Sequence, residues 1–287
     1  MHRPLMKRPL MFVALSLTLA ACSQTLVPVA PSGKLAYGLN VSGQLVTFGL
    51  GNAASSVSVK DVTGLKSGDT LVDLDFNPNN SALYAFAASG QVYTLDTSSG
   101  AATANTTPLT ALTSFKTDFN PVANRVRVFD SAANNFRLTV TPAPAISPQG
   151  TVTSDGKLAY AASDANAGKT PSLVGAAYTN SYSNGGMPSA VPTSTSLYSV
   201  DAATNTLVLH TVAPTFNTLN TVGSLGLTLG GNVGFDIVTS GGNGGTNTAY
   251  LVNDKVLYTV NLTSGAATQA ATLSTSLKAL ALALDAQ

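Results

Sequence analysis

Asp75-Phe76-Asn77-Pro78 recurs 43 residues later as Asp118-Phe119-Asn120-Pro121, and this repeat decides the fold. Two strand-like runs follow each copy: 82–87 and 91–96 after the first, and 125–129 and 136–141 after the second. A weaker copy repeats the pattern at 234–237, 248–252 and 256–262. Short alternating runs of Val, Leu, Tyr and Thr between Gly, Asn and Ser turns are typical of antiparallel hairpins. The chain is therefore predicted to be all-β and built from repeated hairpin units.

The spacing of these units predicts a β-propeller, whose blades are units of about 40 to 45 residues with four short strands each. Five units can be placed, at 34–62, 71–105, 112–162, 172–212 and 232–273. The tail at 277–284 resembles the inner strand that the first unit lacks, so we predict that it completes the first blade and closes the ring. Two packed sheets or an open solenoid remain alternatives, as does a C-terminal helix over 277–286, because Ala and Leu favour helix.

The N-terminus predicts a lipoprotein signal. Arg3, Lys7 and Arg8 form a basic start, an apolar run too short to span a bilayer follows, and Leu19-Ala20-Ala21 precedes Cys22, the single cysteine. We predict a signal peptide at 1–21, lipidation of Cys22, a tether at 22–32 and one propeller domain at 33–287. A lipidated Cys22 leaves no free thiol, so the mature chain has no cysteine nucleophile and no disulfide.

Composition limits the partners of the exported chain. Removing residues 1–21 takes three of the 14 basic residues and none of the 13 acidic ones, which leaves a net charge of −2. No basic surface for nucleic acid is expected. The lipid anchor makes the membrane a partner and places the domain in the cell envelope, outside the cytoplasm. Ser23 follows the cysteine, and resemblance to sorted bacterial lipoproteins implies the outer rather than the inner membrane.

A run of motifs resembles a known family. Asn124-Arg125-Val126-Arg127-Val128 follows the second Asp-Phe-Asn-Pro, and Asn135-Phe136-Arg137-Leu138 comes next, with further matches at 155–160, 176–180, 219–226 and 234–237. These segments resemble the bacterial envelope family called domain of unknown function 4394. The resemblance covers nearly all of residues 33–284. It implies a propeller-like envelope protein, and it carries no established reaction, ligand or catalytic residue.

The arginines are the most concentrated polar feature of the mature chain. All three, Arg125, Arg127 and Arg137, fall within 13 residues of one unit. Three guanidinium groups so close together repel one another unless an anion neutralises them. One interpretation is a structural network with Asp75 and Asp118 from the inner strands. The other is a binding site for a carboxylate, a phosphate or a sulfated glycan.

Catalytic groups are scarce. The mature chain has no Glu and one histidine, His210. The alternation of apolar and polar residues places His210 on the same face of a strand as Val208, which indicates a histidine whose hydrogen bonds are satisfied by a neighbouring residue. No Gly-x-Ser-x-Gly elbow indicates an activated serine. A glycoside hydrolase would need a pair from Asp73, Asp75, Asp118 and Asp236, and their recurrence with the repeat is better explained by hydrogen bonding at turns and strand ends.

Metal sites are weakly indicated. Asp164 and Asn166 before Gly168 resemble the opening of a calcium loop, but the closing Glu is absent, so we interpret the segment first as a turn. Copper or zinc needs several imidazoles or thiolates, and one chain offers a single imidazole. A symmetric trimer bringing three copies of His210 to its axis could hold a redox copper that dismutes superoxide.

The sequence therefore favours a lipid-anchored binding or structural module of the cell envelope, a subunit of a surface assembly that contacts other envelope proteins or glycans. The long insertion 181–195, with Gly185-Gly186 and Pro188, is the predicted contact loop. The alternatives are a copper-dependent redox enzyme of the envelope, which would be a homo-oligomer, and a hydrolase.

Overall fold

Five β-sheets form the protein in a computed structural model that describes residues 29–105, 115–140, 148–211 and 213–286. The strands, in chain order, are β1 Leu35–Asn40, β2 Leu45–Gly49, β3 Ser58–Lys60, β4 Leu71–Phe76, β5 Leu83–Ala87, β6 Val92–Leu95, β7 Ala102–Ala104, β8 Phe115–Asn120, β9 Arg125–Asp130, β10 Asn134–Leu138, β11 Val152–Lys157, β12 Ala159–Tyr160, β13 Leu173–Tyr178, β14 Leu197–Asp201, β15 Thr206–Thr211, β16 Thr218–Ser224, β17 Val233–Ser240, β18 Thr246–Asn253, β19 Val256–Val260, β20 Ala267–Thr272 and β21 Leu277–Leu282. Two short 3₁₀ helices lie at Leu50–Asn52 and Pro188–Ala190.

The sheets are the blades of a propeller. Blade one is β21-β1-β2-β3, blade two β4 to β7, blade three β8 to β11, blade four β13 to β16 and blade five β17 to β20. The inner strands contact one another in the cyclic order β21, β4, β8, β13, β17 and back to β21. This cycle is a closed five-bladed ring, which confirms the predicted fold and excludes the open solenoid and the packed sheets.

The C-terminal strand closes the ring as predicted. β21 pairs antiparallel with β1, with Ala36 opposite Leu282 and Gly38 opposite Leu280. Two glycines allow the close approach of its neighbours: a Cβ on Gly38 would lie 2.8 Å from the Ala279 carbonyl oxygen, and a Cβ on Gly234 of β17 would lie 2.6 Å from the Leu280 nitrogen. The tail is therefore a strand, and the helix considered for it is wrong.

Blade four differs from its sequence prediction. Its outer strand β16 ends at Ser224, twelve residues beyond the unit placed at 172–212. The two-residue strand β12 pairs parallel with β16 and adds a fifth strand at the outer edge. The predicted unit stops at 212, whereas residues 213–217 lie between the third and fourth strands of the blade.

The tether prediction needs correction at its end. Val29 N donates to the Ser55 carbonyl, Asn52 Nδ2 donates to the Ala30 carbonyl and Gly51 N donates to the Ser32 carbonyl. Residues 29–32 are therefore held on blade one. Cys22, the signal segment 1–21 and the rest of the tether lie outside the described residues.

The core consists of apolar layers between neighbouring blades. Each pair of neighbours shares one cluster, for example Leu74 and Leu83 against Tyr37 between blades one and two, or Phe119 against Tyr84 between blades two and three. Since the apolar layers lie between blades, polar side chains on the inner strands are left to face the ring axis.

Candidate functional site

The repeated aspartates join the blades around the axis. Asp75 Oδ2 accepts from Phe119 N at 2.6 Å, Asp118 Oδ1 from Tyr178 N at 3.0 Å, and Asp236 Oδ2 from Leu282 N at 2.6 Å. Each donor lies on the next inner strand of the ring. The recurrence of Asp therefore follows from hydrogen bonding, as expected, but the bonds connect neighbouring blades rather than turns of one blade.

The same three carboxyl groups converge at the axis. One oxygen from each of Asp75, Asp118 and Asp236 lies within 4.8 Å of the others, and all three residues are buried. Burial and, after it, the charge of neighbouring aspartates raise the pKa of Asp75 and Asp118 well above the ordinary value. Burial raises the pKa of Asp236 to about 7. The three groups cannot all be ionised together without a compensating cation.

Among the described residues, these three carboxyl groups lie close enough together to offer oxygen ligands to one metal ion. Calcium takes six to eight oxygen ligands, whereas both oxygens of Asp75 and of Asp236 and one oxygen of Asp118 already accept backbone N–H groups. The cluster is thus explained first by its role in holding the ring together.

Arg127 is the centre of the arginine cluster and is 1% exposed. Its Nη1 donates to Asn135 Oδ1 at 2.7 Å and forms an ion pair with Asp155, and its Nη2 donates to the Pro214 carbonyl at 2.9 Å. Its Nε donates to Tyr178 Oη at 3.1 Å. Arg127 therefore fastens blade three to the loop and inner strand of blade four.

Asp155 also holds Arg137. Arg137 Nε and Nη2 donate to the two oxygens of Asp155, each at 2.7 Å, while the Arg137 side chain remains 24% exposed. The expected partners, Asp75 and Asp118, were wrong, because they face the ring axis and accept backbone N–H groups there. Asp155 lies on the outer strand β11 of the same blade as the arginines, and as the acidic residue of that strand it could have been considered from the sequence.

Arg125 completes the cluster. Its Nη2 donates to the Arg137 carbonyl and to Thr153 Oγ1, and its Nε is buried with no hydrogen-bond partner among the described residues. Burial and then the charge of Arg137 lower the pKa of Arg125. Among the described residues, Arg127 and Arg137 share the carboxylate of Asp155 and Arg125 pairs with no carboxylate, so the cluster retains excess positive charge.

A pocket of about 340 Å³ opens beside this cluster. Arg127 and Arg137 contribute to it from blade three, and Pro214 and Phe216 contribute from the loop of blade four. Its rim includes Thr193, Ser194 and Thr195, the last residues of the predicted contact loop. The pocket thus brings together two features that the sequence singled out separately, the arginines and the insertion 181–195.

The rest of the insertion lies on the ring. Ser183 N donates to the Asp285 carbonyl at 2.8 Å and Asn184 N to the Pro78 carbonyl at 2.9 Å, and Tyr182 is fully buried. The loop that leaves blade four therefore reaches blades one and two, at the end of the axis where the inner strands terminate. Its exposed parts are residues 185–189 in the middle and Thr193 and Ser194 near the end.

His210 is 3% exposed and both ring nitrogens are engaged. Nε2 lies 2.8 Å from Ser199 Oγ, Nδ1 lies 2.8 Å from the Phe216 carbonyl, and the ring stacks on Phe129. Burial lowers the pKa of His210 to about 3. A shared copper site at a trimer axis is incompatible with this position, and the serine beside it is fully buried and lacks the carboxylate of a catalytic triad.

Asp164 and Asn166 form a turn, as first interpreted. Asp164 accepts from Thr221 N at 2.6 Å, from Thr221 Oγ1 at 2.7 Å and from Asn166 N at 2.8 Å. Asn166 Oδ1 accepts from Lys169 Nζ. The oxygens proposed as calcium ligands hold the segment against strand β16 of blade four.

The chain resembles solved structures at low sequence identity. A chain of a nidogen/laminin complex covers 89% of this chain and 100% of its own length at 11% identity and a TM-score of 0.49. A structural genomics protein of unknown function from Bacteroides thetaiotaomicron VPI-5482 covers 84% of this chain and 56% of its own length, at 15% identity and a TM-score of 0.48. An auxiliary nutrient binding protein from Bacteroides ovatus ATCC 8483 covers 79% of this chain and 51% of its own length, at 12% identity and a TM-score of 0.44. The chain spans about half the length of the two Bacteroides proteins.

Similarity at this level carries no ligand or activity from those proteins to this chain. No curated protein matches the chain in sequence. In the described part of the chain, no helix has the length and apolar character needed to cross a membrane. The family model of the domain of unknown function DUF4394 matches residues 44–283, which confirms the resemblance seen in the motifs, and the chain belongs to that family.

Proposed function

We propose that the propeller is the binding domain of a lipid-anchored envelope protein, and that it takes anionic groups of envelope glycans or proteins in the pocket beside Arg137. The observation that carries this proposal is the charge imbalance at the pocket. Arg127 and Arg137 share the Asp155 carboxylate, Arg125 pairs with no carboxylate among the described residues, and the Arg137 side chain is 24% exposed where the pocket opens.

The arrangement of Arg137 suits a carboxylate or a sulfate. Asp155 engages Nε and Nη2 and so fixes the plane of the guanidinium, while no partner of Nη1 is described. An arginine held in this way loses little side-chain entropy when it binds an anion. Hydroxyl groups at Thr193, Ser194 and Thr195 and the ring of Phe216 suit the hydroxyl-rich and apolar faces of a sugar.

Binding is favoured over catalysis by how the titratable groups are used. The inner-strand aspartates accept backbone N–H groups, and His210 is buried with both nitrogens engaged. General acid–base chemistry requires a titratable group within reach of the substrate proton. No such group lines the pocket at Arg137 among the described residues.

The direct test is binding of a uronate oligosaccharide to the full chain, with the neutral oligosaccharide of equal length as comparison. We expect the acidic sugar to bind more tightly and its affinity to fall with salt. Arg137→Met should weaken binding at least ~10-fold, equivalent to ~1.4 kcal/mol. Arg137→Lys should retain part of the affinity, and Lys255→Met, at an exposed lysine of blade five, should leave it unchanged.

A second variant separates binding from stability. Thr193→Tyr narrows the pocket at an exposed rim position without touching the Asp155 network. We expect it to weaken binding at an unchanged melting temperature. Equal affinity of wild type and both pocket variants, or of the acidic and neutral sugars, would remove the pocket as the binding site.

The anchor has its own experiment. The Leu19-Ala20-Ala21-Cys22 sequence is the motif on which lipidation of Cys22 depends. Cys22→Ala should release the protein from the membrane fraction into the soluble envelope fraction, and mass spectrometry of the wild type should find acyl chains on Cys22. Wild-type fractionation of the Cys22→Ala chain would place the anchor elsewhere. Pull-down from solubilised envelope then tests whether the chain is a subunit of a surface assembly.

A further inference from the structure

A second pocket opens where the inner strands begin, at the ring axis, and we call it the axial mouth pocket. Its volume is about 420 Å³, and all five inner strands contribute to its wall. It is separate from the pocket at Arg137, with which it shares no lining residue. A volume of this size suits a small molecule rather than a polymer chain, because small-molecule sites span roughly 300–1,000 Å³.

Two lysines bring positive charge to the axial mouth pocket. Lys116 comes from β8 and Lys278 from β21, and no carboxylate is among the described residues that line the pocket. The rest of the wall is mixed: Phe115, Leu173 and Val174 supply an apolar part, and Ser172 and Asn232 are among its polar residues. The pocket therefore offers ammonium groups beside an apolar surface.

The two lysines are not equivalent. Lys116 Nζ donates to the Val233 carbonyl at 2.9 Å and to the Lys278 carbonyl at 2.7 Å, so it joins β17 to β21. Asp73 lies close enough to Lys116 for the opposite charges to affect both pKa values. Lys116 thus has a structural role and an acidic neighbour.

Lys278 has neither. Its Nζ has no hydrogen bond or ion pair among the described residues, although the side chain is partly buried. Burial and then the charge of Lys116 lower the pKa of Lys278. An ammonium group that is partly desolvated, repelled by its neighbour and unpaired gains more from an anion than an exposed lysine does.

We propose that the axial mouth pocket binds a small organic anion, a carboxylate with a short apolar body, which pairs with Lys278 and lies against Phe115, Leu173 and Val174. One unpaired ammonium matches one carboxylate, and the apolar part of the wall matches an alkyl or aryl group rather than a fully hydrated anion such as phosphate. This site is independent of glycan binding at Arg137.

The test is calorimetric titration of the full chain with hexanoate, with hexanol as the neutral comparison and inorganic phosphate as the anion without an apolar body. We expect hexanoate to bind the wild type at least ~10-fold more tightly than either. Lys278→Met should weaken hexanoate binding at least ~10-fold and leave hexanol unchanged. Lys278→Arg should keep hexanoate binding within a few fold, and Lys255→Met should match the wild type.

The Lys278 variants should fold, because its side chain holds no partner in place. Melting temperatures within a few degrees of the wild type would establish this, and Lys278→Arg provides a charge-retaining variant if Lys278→Met is destabilised. Three results would overturn the proposal: no hexanoate binding to the wild type, equal hexanoate affinity in Lys278→Met, or phosphate binding as tightly as hexanoate. None of these results bears on the Arg137 pocket.

Discussion

Two trios of like-charged side chains lie inside this ring, and they are stabilised in different ways. Asp75, Asp118 and Asp236 meet at the axis, and their pKa values are raised, so protonation can remove their repulsion. Arg125, Arg127 and Arg137 cannot lose their protons, so they need a carboxylate and carbonyl oxygens instead. Asp155 and the carbonyls of blades three and four supply these.

The difference determines what each region can do. The oxygens of the carboxyl trio are used within the ring, since each aspartate accepts a backbone N–H from the next inner strand, and burial disfavours the ionised form of each group. The arginine trio keeps its charge at neutral pH with one carboxylate to offset it, and it lies beside a surface pocket. The proposed binding role therefore rests on the arginines, while the aspartates hydrogen-bond neighbouring blades.

Removing β21 should have the largest effect on the free energy of unfolding. The aspartates at the ring axis depend on this strand, whereas the arginine cluster does not. Truncation after Ser276 removes the Leu282 N–H from Asp236 and exposes the edge of β1. It also loses the buried Leu277, Leu280 and Leu282, each worth ~1.5–3 kcal/mol. We expect a loss of several kcal/mol in the free energy of unfolding, measured by denaturant titration. An unchanged unfolding midpoint would contradict the closed ring.

Asp155→Asn should have the next largest effect, because it leaves Arg127 charged and buried without its carboxylate. Breaking a buried ion pair by removing one partner costs ~3–5 kcal/mol. The matched control is Asp285→Asn, which breaks the ion pair with Lys34 at a site where Asp285 is 39% exposed. Surface pairs contribute ~0–1 kcal/mol. Similar losses for the two substitutions would mean that Arg127 is neutralised by carbonyl groups alone.

The smallest effect concerns the axis and its pH dependence. A carboxyl group whose pKa is raised on folding binds more protons in the folded state, so stability falls as pH rises from its unfolded pKa to its folded pKa. His210 has the opposite effect, because its pKa is lowered on folding: its contribution makes stability rise as pH rises from about 3 to 6.5. Above pH about 6.5 the raised carboxyl groups act without it, and the melting temperature should fall between about pH 6.5 and 8.

Asp118→Asn tests this dependence with little other change. The amide oxygen can still accept the Tyr178 N–H, while one negative charge leaves the trio. Each unit of raised pKa corresponds to ~1.4 kcal/mol, so the fall in melting temperature above pH 6.5 should become visibly shallower. A variant that loses stability with pH as steeply as the wild type would show that the trio does not cause the dependence.

The ring was predictable because its determinants are local and repeated. The recurrence at Asp75 and Asp118 places blades two and three in register, and the apolar alternation of 277–282 identifies the closing strand. The end of blade four was missed because the residues between β15 and β16 resemble a connection between blades. Strand boundaries there depend on pairing across the sheet, which local pattern does not reveal.

The candidate site was predictable in part. The concentration of arginines pointed to the correct blade, but their partner was missed because Asp155 becomes adjacent only when β11 pairs with β10. The insertion 181–195 was predicted to be a contact loop, but the sequence did not indicate that its backbone hydrogen-bonds next to the ends of β21 and β4. Contacts between segments about a hundred residues apart, such as Asn184 with Pro78, leave no local signal in the sequence.

The central comparison is tested most directly by carboxyl ¹³C NMR of the chain labelled at Asp Cγ, titrated from pH 3 to 9 and assigned with single Asp→Asn variants. Asp96 serves as the internal control, because hydrogen bonds from Ser98 and Ser99 lower its pKa to about 2. We predict that Asp96 ionises at a lower pH than Asp75, Asp118 and Asp236, and that Asp236 titrates at about pH 7. Ordinary titration of all three near pH 4 would contradict the raised pKa values and the assignment of charge to the arginines alone.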